Sequence, residues 1–203
     1  DTRFTFEHIA AQMTLLTING TICNIKDADL NSMYEKNKDF DDKGNVAKTV
    51  IKVLDYLYAM FPSKTPELKR YNAISLFILI LDLITNYAVK DREEDLSKWF
   101  INFESKRAME ETKPQDQQDP KLVIYHEKTS HSTDALDSLS FRNEYLKEDL
   151  LTKVMNLPLK DPKRNFDEAQ RQVIYRKDRG ICQKCGKKCD WNDYEADHIL
   201  PWN

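Results

Sequence analysis

Two cysteines, an aspartate and a histidine fall close together in the stretch CQKCGKKCDWNDYEADHILPWN, which runs from Cys182 to Asn203. A Cys-x-x-Cys pair followed by glycine suits a metal knuckle. Two thiolates at that spacing can hold one zinc ion, and Gly186 lets the backbone turn around it. Structural zinc takes four ligands, so Cys182 and Cys185 amount to half a site. Cys189 and His198 are further donors nearby, although Cys189 reads more simply as a small residue packed under a turn. A redox Cys-x-x-Cys would sit beside a βαβ pattern, which this sequence does not show. Asp197 and His198 offer different chemistry. A neutral imidazole can take a proton from water near pH 7, and a carboxylate beside it can hold a divalent cation. Neighbours on a strand point to opposite sides, so both serve one site only where the strand ends or bends. Pro201 fits such an end.

The elements that would position these residues differ in character along the chain. The first 160 residues read as helices. FTFEHIAAQMTLLTI carries apolar residues at helical spacing and stops at Asn19-Gly20. VAKTVIKVLDYLYAMF presents Val46, Val50, Val53, Leu54, Leu57, Tyr58 and Phe61 as one buried face, closed by Pro62. Thr65-Pro66 has the chemistry of a helix start and leads into YNAISLFILILDLITNYAV, apolar on nearly every side. Asn72, Asp82 and Asn86 interrupt that run, which makes it the central helix of a bundle and not a membrane span. Asp91 is a candidate cap for a helix through Trp99 and Phe103, and EETKPQDQQDPKL reads as a loop. Ser140 is a candidate cap for FRNEYLKEDLLTKVM. The segment LPLKDPKRN, with two prolines and four charges, is the best boundary in the chain. Beyond it, FDEAQRQVIYRKDRG reads as a short helix between Asp167 and Gly180, followed by two short strands joined by a turn. The expected architecture is therefore mainly α. A helical bundle domain at 1–159 precedes an incomplete ββα-metal module at 160–203, which opens with a helix and a short hairpin.

Composition narrows the class. The chain has 203 residues, 40% apolar and 32% charged, and a net charge of −3. No uninterrupted apolar run reaches membrane-spanning length, and no basic-then-apolar leader opens it, so a soluble cytoplasmic protein is expected. Four cysteines, two of them in a knuckle, suit an intracellular metal site better than a disulfide framework. The charge is unevenly spread. Residues 160–203 hold 10 basic and 8 acidic side chains, a net +2, while the remainder holds 21 and 26, a net −5. A polyanion would therefore meet the C-terminal end, with Arg179, Lys187 and Lys188 beside the knuckle as the phosphate-contact candidates.

The run RQVIYRKDRGICQKCGKKCDWNDYEADHILPWN resembles the N-terminal half of an HNH endonuclease domain of the zinc-knuckle type. That family has a leading helix, a Cys-x-x-Cys turn and a hairpin ending in Asp-His-Ile-x-Pro. The resemblance implies that His198 is the general base activating water against a phosphodiester of DNA. It implies that Asp197 ligates Mg²⁺ or a similar ion, and that Cys182 and Cys185 join a second Cys pair around structural Zn²⁺. That second pair and the remaining metal ligands would lie beyond Asn203, so this stretch alone is expected to be inactive. The segments RFTFEHIAAQMTLLTINGTICNIKDADLNSMYEKNKDF and DALDSLSFRNEYL are similar to the helical C-terminal half of a bacterial family. Its members carry an N-terminal ParB-like domain, and some end in an HNH domain. That family is related to Gmr-type modification-dependent restriction systems acting against phage. The resemblance implies two missing partners, the ParB-like domain before residue 1 and the second half of the nuclease module after residue 203. Other functions fit the same residues: a zinc-stabilised reader of DNA or protein, or a helical regulatory domain that forms a homo-oligomer.

The remaining candidates have plainer readings. His8 is a half-buried histidine on the first helix, and Cys23 a packed residue after a turn. His126 and His131 have a spacing that could mimic a metal pair but read more simply as part of a polar surface loop, YHEKTSHSTD; Arg107 and Arg142 are candidate contacts to DNA or a partner domain but read more simply as solvated surface cations.

Overall fold

The computed structural model describes residues 2–154, 157–160 and 166–197. The chain divides into two compact units, Asp1–Leu157 and Pro158–Asn203. The protein is mainly α-helical. Among the described residues there is no strand, and Ile181 and Lys188 form an isolated antiparallel bridge.

The first unit contains α1 (Thr2–Asn19), α2 (Asp27–Lys36), α3 (Asn45–Met60), α4 (Arg70–Asn86), α5 (Glu93–Glu110), α6 (Pro120–Ser130) and α7 (Leu136–Lys153). α4 is its axis. Every residue from Ile74 to Ile80 is buried, because α1, α3 and α7 surround it. Burying each such leucine, isoleucine or phenylalanine contributes roughly 1.5–3 kcal/mol, which explains a helix with no polar face. Among the described residues, no helix is long and apolar enough to cross a membrane. α1 ends where the sequence indicates, with Gly20 in the left-handed region at φ 65°.

Several expectations fail for identifiable reasons. On α3, Val50, Val53 and Met60 are buried, yet Leu54 is 39% exposed and Tyr58 71%. At about 100° per residue these two lie some 40–80° around the helix from Val50, beyond the arc that its neighbours cover. Thr65-Pro66 forms a turn, in which Leu68 N donates to Thr65 O, and α4 starts at Arg70. Asp91 is not a cap. It takes φ 61°, and Arg92 occupies the cap position of α5. The stretch read as loop around His126 is α6, started by the Asp119 carboxylate accepting from Lys121 N at 2.9 Å and by Pro120 in its first turn. α7 begins four residues before Ser140. Its cap comes from across the fold: Asn24 Oδ1 accepts from Leu136 N at 2.8 Å. α2 follows Lys26, with Asp29 Oδ2 accepting from Lys26 N, and had no counterpart in the sequence reading.

Arg107 and Arg142 are not surface cations. Arg142 is 1% exposed and donates through Nη1 to Lys128 O at 3.1 Å and through Nη2 to Thr133 O at 3.0 Å. It thereby satisfies a carbonyl near the C-terminus of α6, where a cation also meets the favourable end of the helix dipole. Burial lowers its pKa from the ordinary arginine value. Around it, Phe103, Tyr125 and Tyr145 pack edge to face and tilted, with ring centres 5.2–5.9 Å apart, joining α5, α6 and α7.

Candidate functional site

The second unit is built on α8 (Glu168–Lys177). Asp167 caps it reciprocally: its Oδ1 accepts from Gln170 N at 2.8 Å, and its own N–H donates to Gln170 Oε1 at 3.0 Å. One face of α8 presents Arg171 and Tyr175, four residues apart. Tyr175 meets Trp191 and Tyr194 edge to face at 5.4 and 5.2 Å. The Arg171 guanidinium lies 5.6 Å from both the Trp191 and the Tyr194 ring centres. Arg171 Nη2 donates to Tyr194 O at 3.0 Å, and Tyr194 Oη donates to Arg171 O at 3.1 Å. This cation–aromatic cluster is the small unit's substitute for an aliphatic core. It was not singled out from the sequence, although the i, i+4 spacing of Arg171 and Tyr175 and the Trp191-x-x-Tyr194 pattern carry the signal.

The cluster fixes the knuckle to the end of α8. Gly180, at φ 65°, packs so closely that a Cβ there would meet Tyr175 Oη at 2.8 Å and Cys189 O at 3.3 Å. Tyr175 Oη donates to Cys189 O, and Cys189 N donates to Gly180 O, each at 2.8 Å. The chain then turns through the Cys-x-x-Cys segment. Gly186 N donates to Cys182 O and Cys182 N donates to Lys187 O, both at 2.8 Å. Gly186 takes φ 69° with open space where a Cβ would stand, so glycine serves the backbone angle there and not a close approach. Where a hairpin was expected, the backbone makes this tight turn with the single bridge.

The turn aims the backbone N–H groups of Cys185 and Lys184 at the Cys182 sulfur and lowers that thiol's pKa, with Cys185's own side chain adding to the effect. Cys182 is half-buried and Cys185 exposed, both free thiols. Cys189 is half-buried, and its Sγ donates weakly to Lys187 O at 3.7 Å. Among the described residues no group of three or more His, Cys, Asp or Glu side chains could hold a metal ion. Arg179, Lys187 and Lys188 are exposed, and Arg179 takes φ 55° in the turn that leaves α8. Asp197 is exposed and is the last described residue; His198 lies outside the described residues.

Two residues read separately in the sequence meet in the helical unit. His126 Nδ1 lies 2.8 Å from Glu111 Oε1 and 3.2 Å from Arg107 Nη1. Arg107 Nη1 also donates to Glu111 Oε1, and Arg107 Nε donates to buried Glu104 Oε2 at 2.9 Å. Behind them Tyr71 Oη donates to Glu104 Oε2 at 3.3 Å, and burial followed by the Glu104 charge pushes Tyr71 up to about 12. Arg107, Glu111 and His126 help line a cavity of about 270 Å³. His131 is the residue just past α6, and His8 sits 3.9 Å from Asp27. Cys23 accepts from Asn19 Nδ2 at 3.0 Å. Compared with family models, with curated proteins and with solved structures, the chain matches none.

Proposed function

We propose that this chain is part of a metal-dependent DNA endonuclease of the HNH kind, belonging to a bacterial restriction or phage-defence protein. Cys182 and Cys185 supply half of a four-cysteine zinc site, Asp197 ligates a Mg²⁺-class ion, and His198 takes the proton from the attacking water. The observation that carries the reading is the Cys182–Lys187 turn. Its backbone N–H groups converge on a thiol whose pKa is lowered, and a left-handed glycine closes it, as a zinc-binding thiolate pair requires. The two thiols suit half of a tetrahedral site, and the rest would come from the segment that the resemblance places after Asn203.

A divalent ion bound at Asp197 would stabilise negative charge on the phosphate and the leaving oxygen. The chain's own residues would do the rest. His198 holds the proton removed from water. Exposed Arg179, Lys187 and Lys188 orient the phosphate backbone. The α8 cluster holds the knuckle beside them through Tyr175 and Gly180. The helical unit would either position the module or relay a signal to it from a preceding ParB-like domain. The test is a protein extended by the segments before residue 1 and after residue 203. We expect one zinc per chain by metal analysis, lost in Cys182→Ser, and divalent-ion-dependent nicking of plasmid DNA, lost in His198→Ala with zinc retained. Zinc-free protein, or nicking that survives His198→Ala, would overturn the reading.

A further inference from the structure

The cavity between α5 and α6 does not select a ligand by charge, because Arg107, Glu110, Glu111 and His126 line it with opposed signs. The polar triangle in its wall has a different property. One ring nitrogen, His126 Nδ1, faces a carboxylate oxygen at 2.8 Å and a guanidinium nitrogen at 3.2 Å. Without a proton, Nδ1 accepts from Arg107. With a proton, it can only donate, and then it suits Glu111 and opposes the Arg107 N–H. A neutral ring can satisfy either neighbour. A doubly protonated ring cannot keep Arg107, since two cations would stand in direct contact.

We propose that His126, Arg107 and Glu111 form a pH-operated latch between α5 and α6. With Nδ1 unprotonated, α6 is tied through His126 to Arg107, a buried residue anchored on Glu104. Protonation opens the Arg107–His126 contact and leaves the His126 ring paired with Glu111 alone, a half-exposed residue at the end of α5.

The surrounding charges leave this switch to His126. On α5, Glu104 is held by Arg107 and Tyr71, and Glu110 is held by Lys113 Nζ at 2.7 Å and by Asp119 N at 2.6 Å. From α7, Glu148 and Asp137 pair with Lys121 and Lys128 of α6, and Arg142 bonds the Lys128 carbonyl. None of these α7 groups contacts the imidazole. Histidine is the side chain that ordinarily changes charge between about pH 5 and 8, which sets the range to scan.

The experiment follows the His126 ring and the Arg107 side-chain N–H by NMR across that range. The expected result is that the Arg107 signals titrate with the midpoint of the His126 ring and that this response is lost in His126→Gln. If the glutamine variant loses helical circular dichroism, His126→Asn takes its place. Arg107 signals that ignore the His126 titration overturn the latch. So does a response that persists in the folded variant, which would assign it to a carboxylate.

Discussion

The two units solve the problem of small-domain stability by different means. The helical unit buries a long aliphatic helix, α4, inside a ring of others, and spends its polar groups on interior bonds such as those of Arg142 and Arg107. Among its described residues the small unit has one α-helix, no strand and a core of three aromatic rings clamped by one arginine. Chains with so little to bury usually depend on a metal or a partner for their remaining stability. The difference separates the roles. The first unit stands on its own packing, and the second holds a cysteine turn in place while leaving Cys185, Arg179, Lys187 and Lys188 exposed.

That comparison can be broken by substitution. The largest effect is expected for Leu79→Ala, at a fully buried position of α4. It should cost about 2–5 kcal/mol, read as a lower urea midpoint by helical circular dichroism. NMR signals of Trp191 and Tyr194 should stay in place when the helical unit is weakened; if they melt with it, the two units are not energetically separate. Gly180→Ala comes next. It forces a left-handed angle on alanine and drives its Cβ into the Tyr175 hydroxyl, so about 1–3 kcal/mol should be lost, confined to the small unit. Loss of the Trp191 and Tyr194 signals at lower urea, with helical signal intact, is the expected result.

The most gradual effect is alkaline. Burial raises Tyr71 and Tyr145 to about 12 and also pushes the fully buried Tyr125 well above the ordinary phenol value. A phenol whose folded pKa lies above its unfolded value of about 10 favours the folded state at every pH below 10. That contribution fades as pH rises from about 10 through 12, because the unfolded chain releases its protons first. Tyrosinate absorbance should therefore rise late and together with loss of helical signal. An early rise at constant helicity would show that these phenols are reached by solvent without unfolding.

Part of the helical reading was legible because its causes are local. Asn19-Gly20 stops α1 through a left-handed glycine, and Asp167 with Gln170 starts α8 within four residues. The apolar character of α4 on all sides requires neighbours on all sides, whichever they are. At the candidate site, the Cys-x-x-Cys-Gly turn is set by five consecutive residues, which is why its spacing could be read. Of the expected hairpin, the described residues show the antiparallel bridge between Ile181 and Lys188 and no strand.

What the sequence by itself determined about this protein is thus the content of contiguous windows: a mainly helical chain, its central helix, a boundary rich in proline and charge, and a thiol pair in a turn. The tertiary structure decided the rest. Asn24 caps α7 from 112 residues away, and Arg142 is buried because carbonyls of α6 and the loop after it await it. Leu54 and Tyr58 are left exposed because neighbouring helices cover only part of the α3 stripe. Arg107 and His126, nineteen residues apart, become one polar triangle only when α5 and α6 pack together. The physical reason is common to all four. A side chain's type fixes what bonds it can make, but burial and partners are supplied by segments distant in sequence, and those free energies exceed any local preference.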